Sequence, residues 1–295
     1  MSALNIPTIQ LNDGTSIPII GYGTGTAWYK TADSAAVDRD LVEAAKSAMK
    51  LGFNHLDCAE NYGTEPELGQ AIQECGVPRA KLFVTTKVGA SVRDIQAAID
   101  ASLKKLKLDY VDLYLIHNPF WAKTEAELQE AWAVMEQVKA SGKARSIGVS
   151  NFLKGHLETI LKTAKVIPVV NQIELHPYLQ RGDDLVSFQE SKNIKTVSYA
   201  GLTPITRAKG GPLDPLLTAL AKKYGVSEAE ILLRWSLDRK FVAITTSSKE
   251  SRLASYLHIL TFKLNPEEVE EISRLGQRKH YRAFWDKHFG PDDRL

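Results

Sequence analysis

Four polar residues follow apolar runs, at the points where strands are predicted to end. They are Asp57 after FNHL, Tyr62 in the loop just beyond, Lys87 after LFVTT and His117 after VDLYLI. A phenol holds its proton at neutral pH because its ordinary pKa is about 10. A nearby ammonium lowers that pKa and makes the phenol a better proton donor. The pattern therefore predicts an acid site in which Tyr62 donates a proton.

The other three residues have suitable roles around such a donor. Lys87 would supply the positive charge, and Asp57 would hold Lys87 in place by pairing with it. His117 would orient a carbonyl oxygen between its ring and Tyr62. Each residue taken alone is more often a solvated or structural side chain. Their occurrence together at three consecutive strand ends is what favours chemistry.

Eight short candidate strands, several of them nearly all apolar (FVTT, VDLYLI and FVAI), alternate with helical patterns, and these are the elements that must position the four residues. The predicted strands are Ile19–Tyr22, Asn54–Leu56, Leu82–Thr86, Tyr110–His117, Ala144–Val149, Val169–Gln172, Thr196–Tyr199 and Phe241–Ile244. Strands that are apolar throughout are typical of parallel sheets covered on both faces. Regular alternation of strand and helix predicts an α/β fold, here a single (β/α)8 barrel of residues 1–295 with reactive groups at the C-terminal ends of its strands.

Local signals refine this architecture. Asp13-Gly14 between two apolar runs predicts an N-terminal β-hairpin over about residues 7–19, and residues 276–295 would form a C-terminal tail over the mouth of the active site. Helix starts are predicted at three capping boxes and one proline-containing cap. They are Thr64–Glu67, Ser227–Glu230, Ser247–Glu250 and Asn265-Pro266.

An open, doubly wound sheet is the competing architecture. Its dinucleotide-binding form requires G-x-G-x-x-G directly after an early strand and before a helix. The glycine cluster at residues 21–25 has a different spacing and is followed by Thr26-Ala-Trp28. The closed barrel is therefore favoured.

Composition argues against several other classes. The net charge is +2 over 295 residues, with no run of five like charges, which disfavours a nucleic-acid partner. Cys58 and Cys75 are the two cysteines, so a reducing compartment is expected. No signal-peptide pattern and no membrane-length apolar stretch occur, which favours a cytoplasmic protein with no membrane partner. No metal site is predicted, because His55 and Cys58 have no second ligand pair.

Longer motifs resemble the aldo-keto reductase family, in the family's order and over essentially the whole chain. They are Asp57-Cys-Ala-Glu-Asn-Tyr62-Gly-Thr-Glu65, Thr86-Lys87, Leu113-Tyr-Leu-Ile-His117, residues 142–152 (GKARSIGVSNF) and Asn171-Gln172-Ile-Glu174-x-His176-Pro177. The resemblance implies an NADPH-dependent carbonyl reductase, expected to be a monomer, with Asp57, Tyr62, Lys87 and His117 as its catalytic tetrad. Segments 245–252 and 281–285 resemble the fungal branch of conjugated polyketone reductases, which also act on ketopantoyl lactone.

The resemblance also implies where NADPH or NADP+ would bind. Ser150, Asn151 and Gln172 would hydrogen-bond the nicotinamide carboxamide, and Tyr199 would stack on the ring. The 2′-phosphate would lie at the helix start of Ser247, Ser248 and Lys249, with Arg252 one turn later. Ala200 stands where many members have serine, and Thr246 stands where many have lysine. The remaining implied cofactor contacts are Gly23, Thr24, Asp57, Gly201 and Leu202.

Aromatic residues near the strand ends predict an apolar substrate pocket. Its members would be Trp28, Tyr62, His117, Phe120, Trp121, Phe284 and Trp285. The tail aromatics, including Phe289, would either form a lid over the mouth or pack on the barrel exterior. Such a pocket suits small carbonyl compounds, namely ketones, α-diketones, lactone ketones and aldehydes, and also cyclic imines.

Two other classes of function stay open from the sequence. In a phosphate-binding isomerase or aldolase barrel, Lys87 would form a Schiff base or act as a base. In a non-catalytic regulatory barrel, NADPH would be kept as a ligand only.

Overall fold

The computed structural model describes residues 6–30, 36–182 and 184–295. All of the site residues predicted above lie within these ranges.

The N-terminal segment forms the predicted hairpin. Strand β1 (Thr8–Gln10) pairs antiparallel with β2 (Ser16–Pro18). Between them Gly14 has a φ of 86°, a left-handed conformation that glycine adopts without steric cost. The turn that the Asp13-Gly14 pair predicts is therefore confirmed.

The hairpin closes the N-terminal end of the barrel. Leu11 and Ile17 are buried in one cluster with residues from the barrel interior. Asn12 donates from its side-chain amide to the carbonyl oxygens of Pro168 (3.0 Å) and Asn193 (3.2 Å), which lie just ahead of two barrel strands. Apolar burial and these bonds together fix the hairpin as a plug at that end.

Eight parallel strands form the barrel, as the sequence predicts. They are β3 (Ile20–Gly23), β4 (His55–Asp57), β5 (Phe83–Val88), β6 (Val111–Ile116), β7 (Ala144–Ser150), β8 (Val170–Glu174), β9 (Lys195–Tyr199) and β10 (Val242–Thr245). Each strand pairs with the next, and β10 pairs with β3 to close the barrel. All eight strand predictions are confirmed, with ends that differ by at most two residues.

Helices fill the connections and pack around the strands. They are α1 (Arg39–Leu51), α2 (Glu65–Glu74), α3 (Ile95–Leu106), α4 (Glu125–Ala140), α5 (Lys154–Leu161), α6 (Leu185–Ser191), α7 (Thr203–Thr206), α8 (Asp214–Tyr224), α9 (Glu228–Asp238), α10 (Glu250–Leu257) and α11 (Pro266–Gly276). Their apolar faces and the outer faces of the strands bury the main hydrophobic core. The capping box at Ser227–Glu230 and the N-cap at Asn265 are confirmed, with Pro266 at the first helical position, and Glu268 completes a capping box at Asn265.

The capping box predicted at Thr64 is wrong. Helix α2 begins after Thr64, but the Thr64 hydroxyl lies 2.8 Å from the hydroxyl of Thr24 and does not cap the helix. Glu67 is also engaged elsewhere, because it accepts the backbone N–H of Asp38 (2.9 Å) and pairs with Lys30. Both side chains of the predicted capping box therefore bond to residues that are distant in the sequence and do not cap the helix.

The capping box predicted at Ser247 is also wrong. Helix α10 begins at Glu250, and Lys249 occupies the N-cap position without a side-chain bond. The Ser247 hydroxyl instead accepts the backbone N–H of Lys249 (3.0 Å), which makes a tight turn ahead of the helix. The predicted phosphate-binding helix start thus lies two residues later than expected.

Small residues let the barrel interior close. A Cβ built on Gly21 would lie 2.8 Å from Nδ1 of His55, whose side chain is fully buried. Because real Cβ atoms do not approach so closely, a side chain at position 21 would displace His55. Gly21, the first glycine of the cluster noted in the sequence, therefore makes room for the buried His55 ring.

Beyond α11 the chain runs across the C-terminal end of the barrel. This tail contains a 3₁₀ helix at Asp286–His288. The backbone N–H of Gly182 donates to the carbonyl oxygen of Arg294 (2.7 Å), and Arg181 donates to that of Leu295 (2.8 Å). The tail is therefore tied to the loop that follows β8.

Within residues 6–30, 36–182 and 184–295, no helix is long and apolar enough to span a membrane. The same residues hold no group of three or more His, Cys, Asp or Glu side chains arranged to bind a metal ion.

Candidate active site

The four predicted catalytic residues meet at the C-terminal end of the barrel. Asp57 is the last residue of β4, Lys87 lies near the end of β5, and His117 directly follows β6. Tyr62 ends a 3₁₀ helix that follows β4. Lys87 Nζ donates to Asp57 Oδ1 (2.6 Å) and lies 3.4 Å from the Tyr62 hydroxyl. That hydroxyl lies 3.4 Å from His117 Nε2, so the four side chains form one connected group.

Two glycines let the Tyr62 ring reach this position. A Cβ on Gly25 would lie 3.0 Å from the ring carbons of Tyr62, which is closer than most real contacts. Gly63 ends the 3₁₀ helix with a φ of 68°, where a β-carbon would be strained. The absence of side chains at both positions allows the turn to hold the phenol against Lys87.

The pKa of Tyr62 is raised, whereas the sequence predicted that it would be lowered. Burial of the phenol raises its pKa above the ordinary value, and the charge of Lys87 offsets this only in part. The phenol therefore keeps its proton at neutral pH even beside the ammonium. The predicted lowering of the Tyr62 pKa was wrong in net direction, because the sequence gives no measure of how fully the ring is buried.

The ion pair below the phenol is fully enclosed. Burial alone would lower the pKa of Lys87, but the charge and the hydrogen bond of the Asp57 carboxylate help to outweigh it, and the pKa is raised. Nζ also donates to the carbonyl oxygen of Cys58 (2.9 Å), and Gln172 donates to the second oxygen of Asp57 (2.7 Å). Lys87 is thus a fixed, protonated ammonium with no exposed surface.

His117 is neutral at physiological pH. Burial, with a smaller contribution from the charge of Lys87, lowers its pKa to about 3. A neutral imidazole has one N–H and one acceptor nitrogen, and Nε2 is the nitrogen that faces Tyr62. The ring can therefore position a carbonyl oxygen without bringing a second positive charge into the site.

The free energy of unfolding should fall as the pH is lowered from about 6.5 towards 4. His117 and His55 are buried and neutral, and burial lowers their pKa values to about 3 and about 4. Below about 6.5 their unfolded forms take up protons that the folded forms do not, so acid favours unfolding. Each residue should lower the free energy of unfolding by about 2 kcal/mol between pH 6.5 and 4.5.

This pH dependence can be measured by urea unfolding at several pH values. A His117→Gln variant has one titrating group fewer, so its unfolding free energy should fall less steeply with acid than that of the parent protein. Identical slopes in the two proteins would contradict the assignment of a neutral, buried His117.

A cavity of about 720 Å³ opens above these residues. Asp57, Tyr62 and His117 line it, whereas Lys87 lies beneath the lining. Its volume falls in the range typical of small-molecule and cofactor sites. Proton-donating groups therefore face a space large enough for a substrate.

The residues predicted to bind a carboxamide lie together on one side of this cavity. Ser150, Asn151, Gln172 and Tyr199 all line it. The Asn151 amide donates to the carbonyl oxygen of His117 (2.9 Å) and to the Ser150 hydroxyl (3.0 Å). The Tyr199 hydroxyl donates to Asn151 Oδ1 (2.7 Å). These bonds join the amide group to the neighbourhood of His117.

Apart from Thr24, the other predicted cofactor residues divide into two sets. Those that line the cavity are Gly23, Asp57, Ala200, Gly201, Leu202 and Thr246. Thr24 is buried beside the lining, where its N–H donates to the carbonyl oxygen of Asp57 (2.9 Å). Those that lie outside the lining are Ser247, Ser248, Lys249 and Arg252, of which all but Ser247 are exposed. The second set lies at the start of α10, beyond the Thr246 end of the cavity.

The predicted substrate residues also divide. Phe284 and Trp285 line the cavity, whereas Trp28, Phe120 and Trp121 do not. Phe120 stacks on His288 of the tail, with ring centres 4.2 Å apart, and so supports the tail from behind. The tail aromatics Phe284 and Trp285 thus form cavity wall and do not pack only on the barrel exterior.

Several residues that line the cavity were not predicted from the sequence. They are Gly25, Thr26, Ala27, Tyr29, Asn61, Thr203, Thr206, Arg207, Ile244 and Thr245. Tyr29 is the neighbour of the predicted Trp28, so the aromatic signal identified the correct loop but not the residue that faces the cavity. Arg207 lies 4.8 Å from the ring centre of Phe284, a contact between α7 and the tail that no local pattern predicts.

Comparison with known proteins assigns this arrangement to a family. The model of the aldo/keto reductase family matches residues 20–277, which include the whole barrel and all four predicted catalytic residues. The chain belongs to this family. This aldo-keto reductase is 41% identical over 274 residues to an NAD/NADP-dependent indole-3-acetaldehyde reductase of Schizosaccharomyces pombe. The alignment covers 92% of this chain and 96% of the relative.

Two further comparisons agree with this assignment. An NADPH-dependent alpha-keto amide reductase of Saccharomyces cerevisiae is 41% identical over 294 residues, covering 95% of this chain and 94% of the relative. The crystal structure of a Bombyx mori aldo-keto reductase in complex with NADP superposes with a TM-score of 0.86 at 36% identity, covering 98% of this chain and 99% of that one. The barrel architecture of this chain is therefore that of solved members of the family.

Proposed function

We propose that this aldo-keto reductase reduces carbonyl groups of small molecules to alcohols, with NADPH as reductant and Tyr62 as general acid. The observation that carries the proposal is the position of the Tyr62 hydroxyl. It lies 3.4 Å from both Lys87 Nζ and His117 Nε2, and Tyr62 and His117 line a cavity large enough for a substrate. Asp57, Lys87 and His117 complete the proposed tetrad.

The chemistry of the lining fits NADPH. Ser150, Asn151 and Gln172 offer the hydrogen-bond donors and acceptors that a carboxamide needs, and Tyr199 offers an aromatic face beside them. When bound there, NADPH supplies the hydride that reduces the carbonyl carbon. Of the two relatives at 41% identity, one is named NAD/NADP-dependent and the other NADPH-dependent, and a structural neighbour was solved with NADP.

The tetrad supports proton delivery to the carbonyl oxygen. We infer that this oxygen lies between the Tyr62 hydroxyl and His117 Nε2, where both groups stabilise the negative charge that develops on it. Tyr62 then gives its proton to the oxygen, and the charge of Lys87 stabilises the phenolate that remains. Asp57 acts as a positioning residue, because its bond to Nζ fixes the ammonium below the phenol.

The surroundings of Lys87 disfavour the isomerase or aldolase alternative. A Schiff base requires a neutral, accessible amine. Lys87 is fully buried, its pKa is raised with the help of the Asp57 carboxylate against the opposing effect of burial, and its Nζ bonds to Asp57 and Cys58. It is therefore neither neutral nor within reach of a substrate carbon.

The substrates proposed are ketones, α-diketones and aldehydes, with ketopantoyl lactone among the candidates. The cavity wall carries Tyr29, Phe284 and Trp285, so flat or apolar groups attached to the carbonyl are accommodated. The names of two relatives specify indole-3-acetaldehyde and an alpha-keto amide, and each compound carries a planar group, an indole ring or an amide, near its carbonyl.

The proposal is tested by following NADPH absorbance after a panel of carbonyl compounds is added. The panel should include an aromatic aldehyde, an α-diketone, an alpha-keto amide, ketopantoyl lactone and a cyclic imine. Oxidation of NADPH with at least one carbonyl compound is expected. Turnover of the imine alone would reassign the substrate class, and NADPH binding without any turnover would indicate the regulatory alternative.

Replacing Arg252 with alanine should weaken the binding of NADPH far more than the binding of NADH. Arg252 is exposed in the first turn of α10, and within the described part of the chain it has no ion-pair partner. We propose that it binds the 2′-phosphate, which only NADPH carries. Loss of such charge-assisted bonds should raise the KM for NADPH about 10- to 100-fold.

The control for this variant is Arg274→Ala. Arg274 is also an exposed helical arginine, but it lies on α11 and pairs with Glu271. The Arg274→Ala variant should leave the KM values for NADPH and NADH unchanged. If Arg252→Ala shifts the KM values for NADPH and NADH equally, Arg252 does not bind the 2′-phosphate.

A further inference from the structure

A buried carboxylate outside the tetrad holds the tail. Glu174 is the last residue of β8 and is 1% exposed. Its Oε1 accepts the backbone N–H of Ala283 (2.7 Å), and its Oε2 accepts that of Phe284 (3.0 Å). Both oxygens of one side chain thus bind two consecutive amides that are 109 and 110 residues away in sequence.

The groups around Glu174 strengthen this contact. His176 Nε2 lies 3.1 Å from Oε1, and Arg181 and Arg282 are close enough to interact with the carboxylate electrostatically. Bonds from N–H groups to a carboxylate are shorter and about twice as strong as bonds between neutral groups. A buried donor that loses its partner is costly. The tail is therefore firmly held at residues 283 and 284.

The next tail residue is in a conformation that needs such support. Trp285 has a φ of 64°, which is strained for a bulky side chain and persists only where the surroundings fix it. In this conformation its indole N–H donates to the Tyr199 hydroxyl (3.1 Å), and its ring centre lies 6.1 Å from that of His117. The fixed amides just before Trp285 thus aim its indole at the reaction site.

We propose that Glu174 is a positioning residue that latches the tail, so that Phe284 and Trp285 form a wall of the substrate cavity and set the preference for bulky carbonyl substrates. The inference rests on the proposed carbonyl reductase activity. Glu174 itself does not line the cavity and acts only through the tail.

The test compares a small and a bulky α-diketone, diacetyl and benzil, in a Glu174→Gln variant. Glutamine keeps one acceptor oxygen but turns an NH2 group towards the second amide, so the latch is lost. We expect the KM for benzil to rise about tenfold or more, while the kcat values and the KM for diacetyl change by less than about twofold. Equal KM values for benzil in the variant and the parent protein would overturn the proposal.

A double-mutant cycle shows whether Glu174 acts through the tail. In a Trp285→Ala background, Glu174→Gln should add less than about a twofold further change in the KM for benzil, because the wall is already missing. If the full tenfold effect persists there, Glu174 does not act through Trp285. Glu230→Gln is the matched control, because Glu230 is a 3% exposed carboxylate that also accepts a backbone N–H, that of Ser227, and it should leave both KM values unchanged.

Hydrogen exchange provides a readout that does not depend on activity. The amides of Ala283 and Phe284 should exchange at least about tenfold faster in Glu174→Gln than in the parent protein, and at the parental rate in Glu230→Gln. If Glu174→Gln fails to fold, Ala283→Pro removes one bonded N–H from the tail side and should accelerate exchange at Phe284. Unchanged exchange would refute the latch even if the enzyme reduces carbonyls. Faster exchange without any carbonyl turnover would preserve the latch and refute the proposed function.

Discussion

Replacing Tyr62 with phenylalanine should lower the kcat for carbonyl reduction by about 10²- to 10⁴-fold, the usual contribution of a positioned general acid. The ring and its packing against Gly25 are retained, and only the hydroxyl between Lys87 and His117 is removed. The affinity for NADPH, followed by quenching of protein fluorescence, should change by less than about twofold. Steady-state kinetics with the best carbonyl substrate measures the effect.

Tyr110→Phe is the control for this variant. Tyr110 precedes β6 at the opposite end of the barrel, where its ring lies between the guanidinium groups of Arg79 and Arg145 at 4.2 and 4.1 Å. Loss of that hydroxyl should leave kcat unchanged. A Tyr62→Phe enzyme that turns over ketones as fast as the parent protein would show that the proton comes from another group.

Lys87→Met should abolish most of the activity and also lower the free energy of unfolding by about 3–5 kcal/mol, the usual result of removing one partner of a buried ion pair. Methionine nearly matches the lysine in length, so the main change is that Asp57 stays buried without its ammonium. Gln172 still donates to Asp57 and compensates only in part. Urea unfolding at neutral pH measures the loss.

The matched control for Lys87 is a lysine whose ion pair is on the surface. Lys143 pairs with Asp100 at 2.5 Å, but both side chains are substantially exposed. Lys143→Met should therefore change the unfolding free energy by no more than about 1 kcal/mol. A Lys87→Met protein as stable as the parent would mean that the buried pair contributes no net stability.

The barrel and the meeting of the tetrad could be predicted because both follow from local patterns. Several of the eight strands are nearly continuous apolar runs, and strands alternate with helices along most of the barrel. Once the strands are parallel, their C-terminal ends share one face, so Asp57, Lys87 and His117 had to converge there. The structure brings them together within hydrogen-bonding distance of Tyr62 or of one another.

The features that could not be predicted depend on tertiary contacts. The Thr64 hydroxyl meets Thr24 instead of capping α2, and that partner is 40 residues away. The net pKa shift of Tyr62 depends on burial, which outweighs the nearby charge of Lys87. The bonds between Glu174 and the tail join residues that no short motif connects. In each case, groups that are distant in the sequence decided the outcome.

Because the hairpin closes the end of the barrel opposite the active site, residues that stabilise the barrel there are separate from residues that carry the reaction. Leu11 and Ile17 fill the floor of the barrel, whereas the reacting groups lie at its rim. Amino-acid changes in the floor should alter heat tolerance with little effect on turnover, and changes in the rim should do the reverse. Engineering for durability and engineering for new substrates can therefore proceed on different parts of the chain.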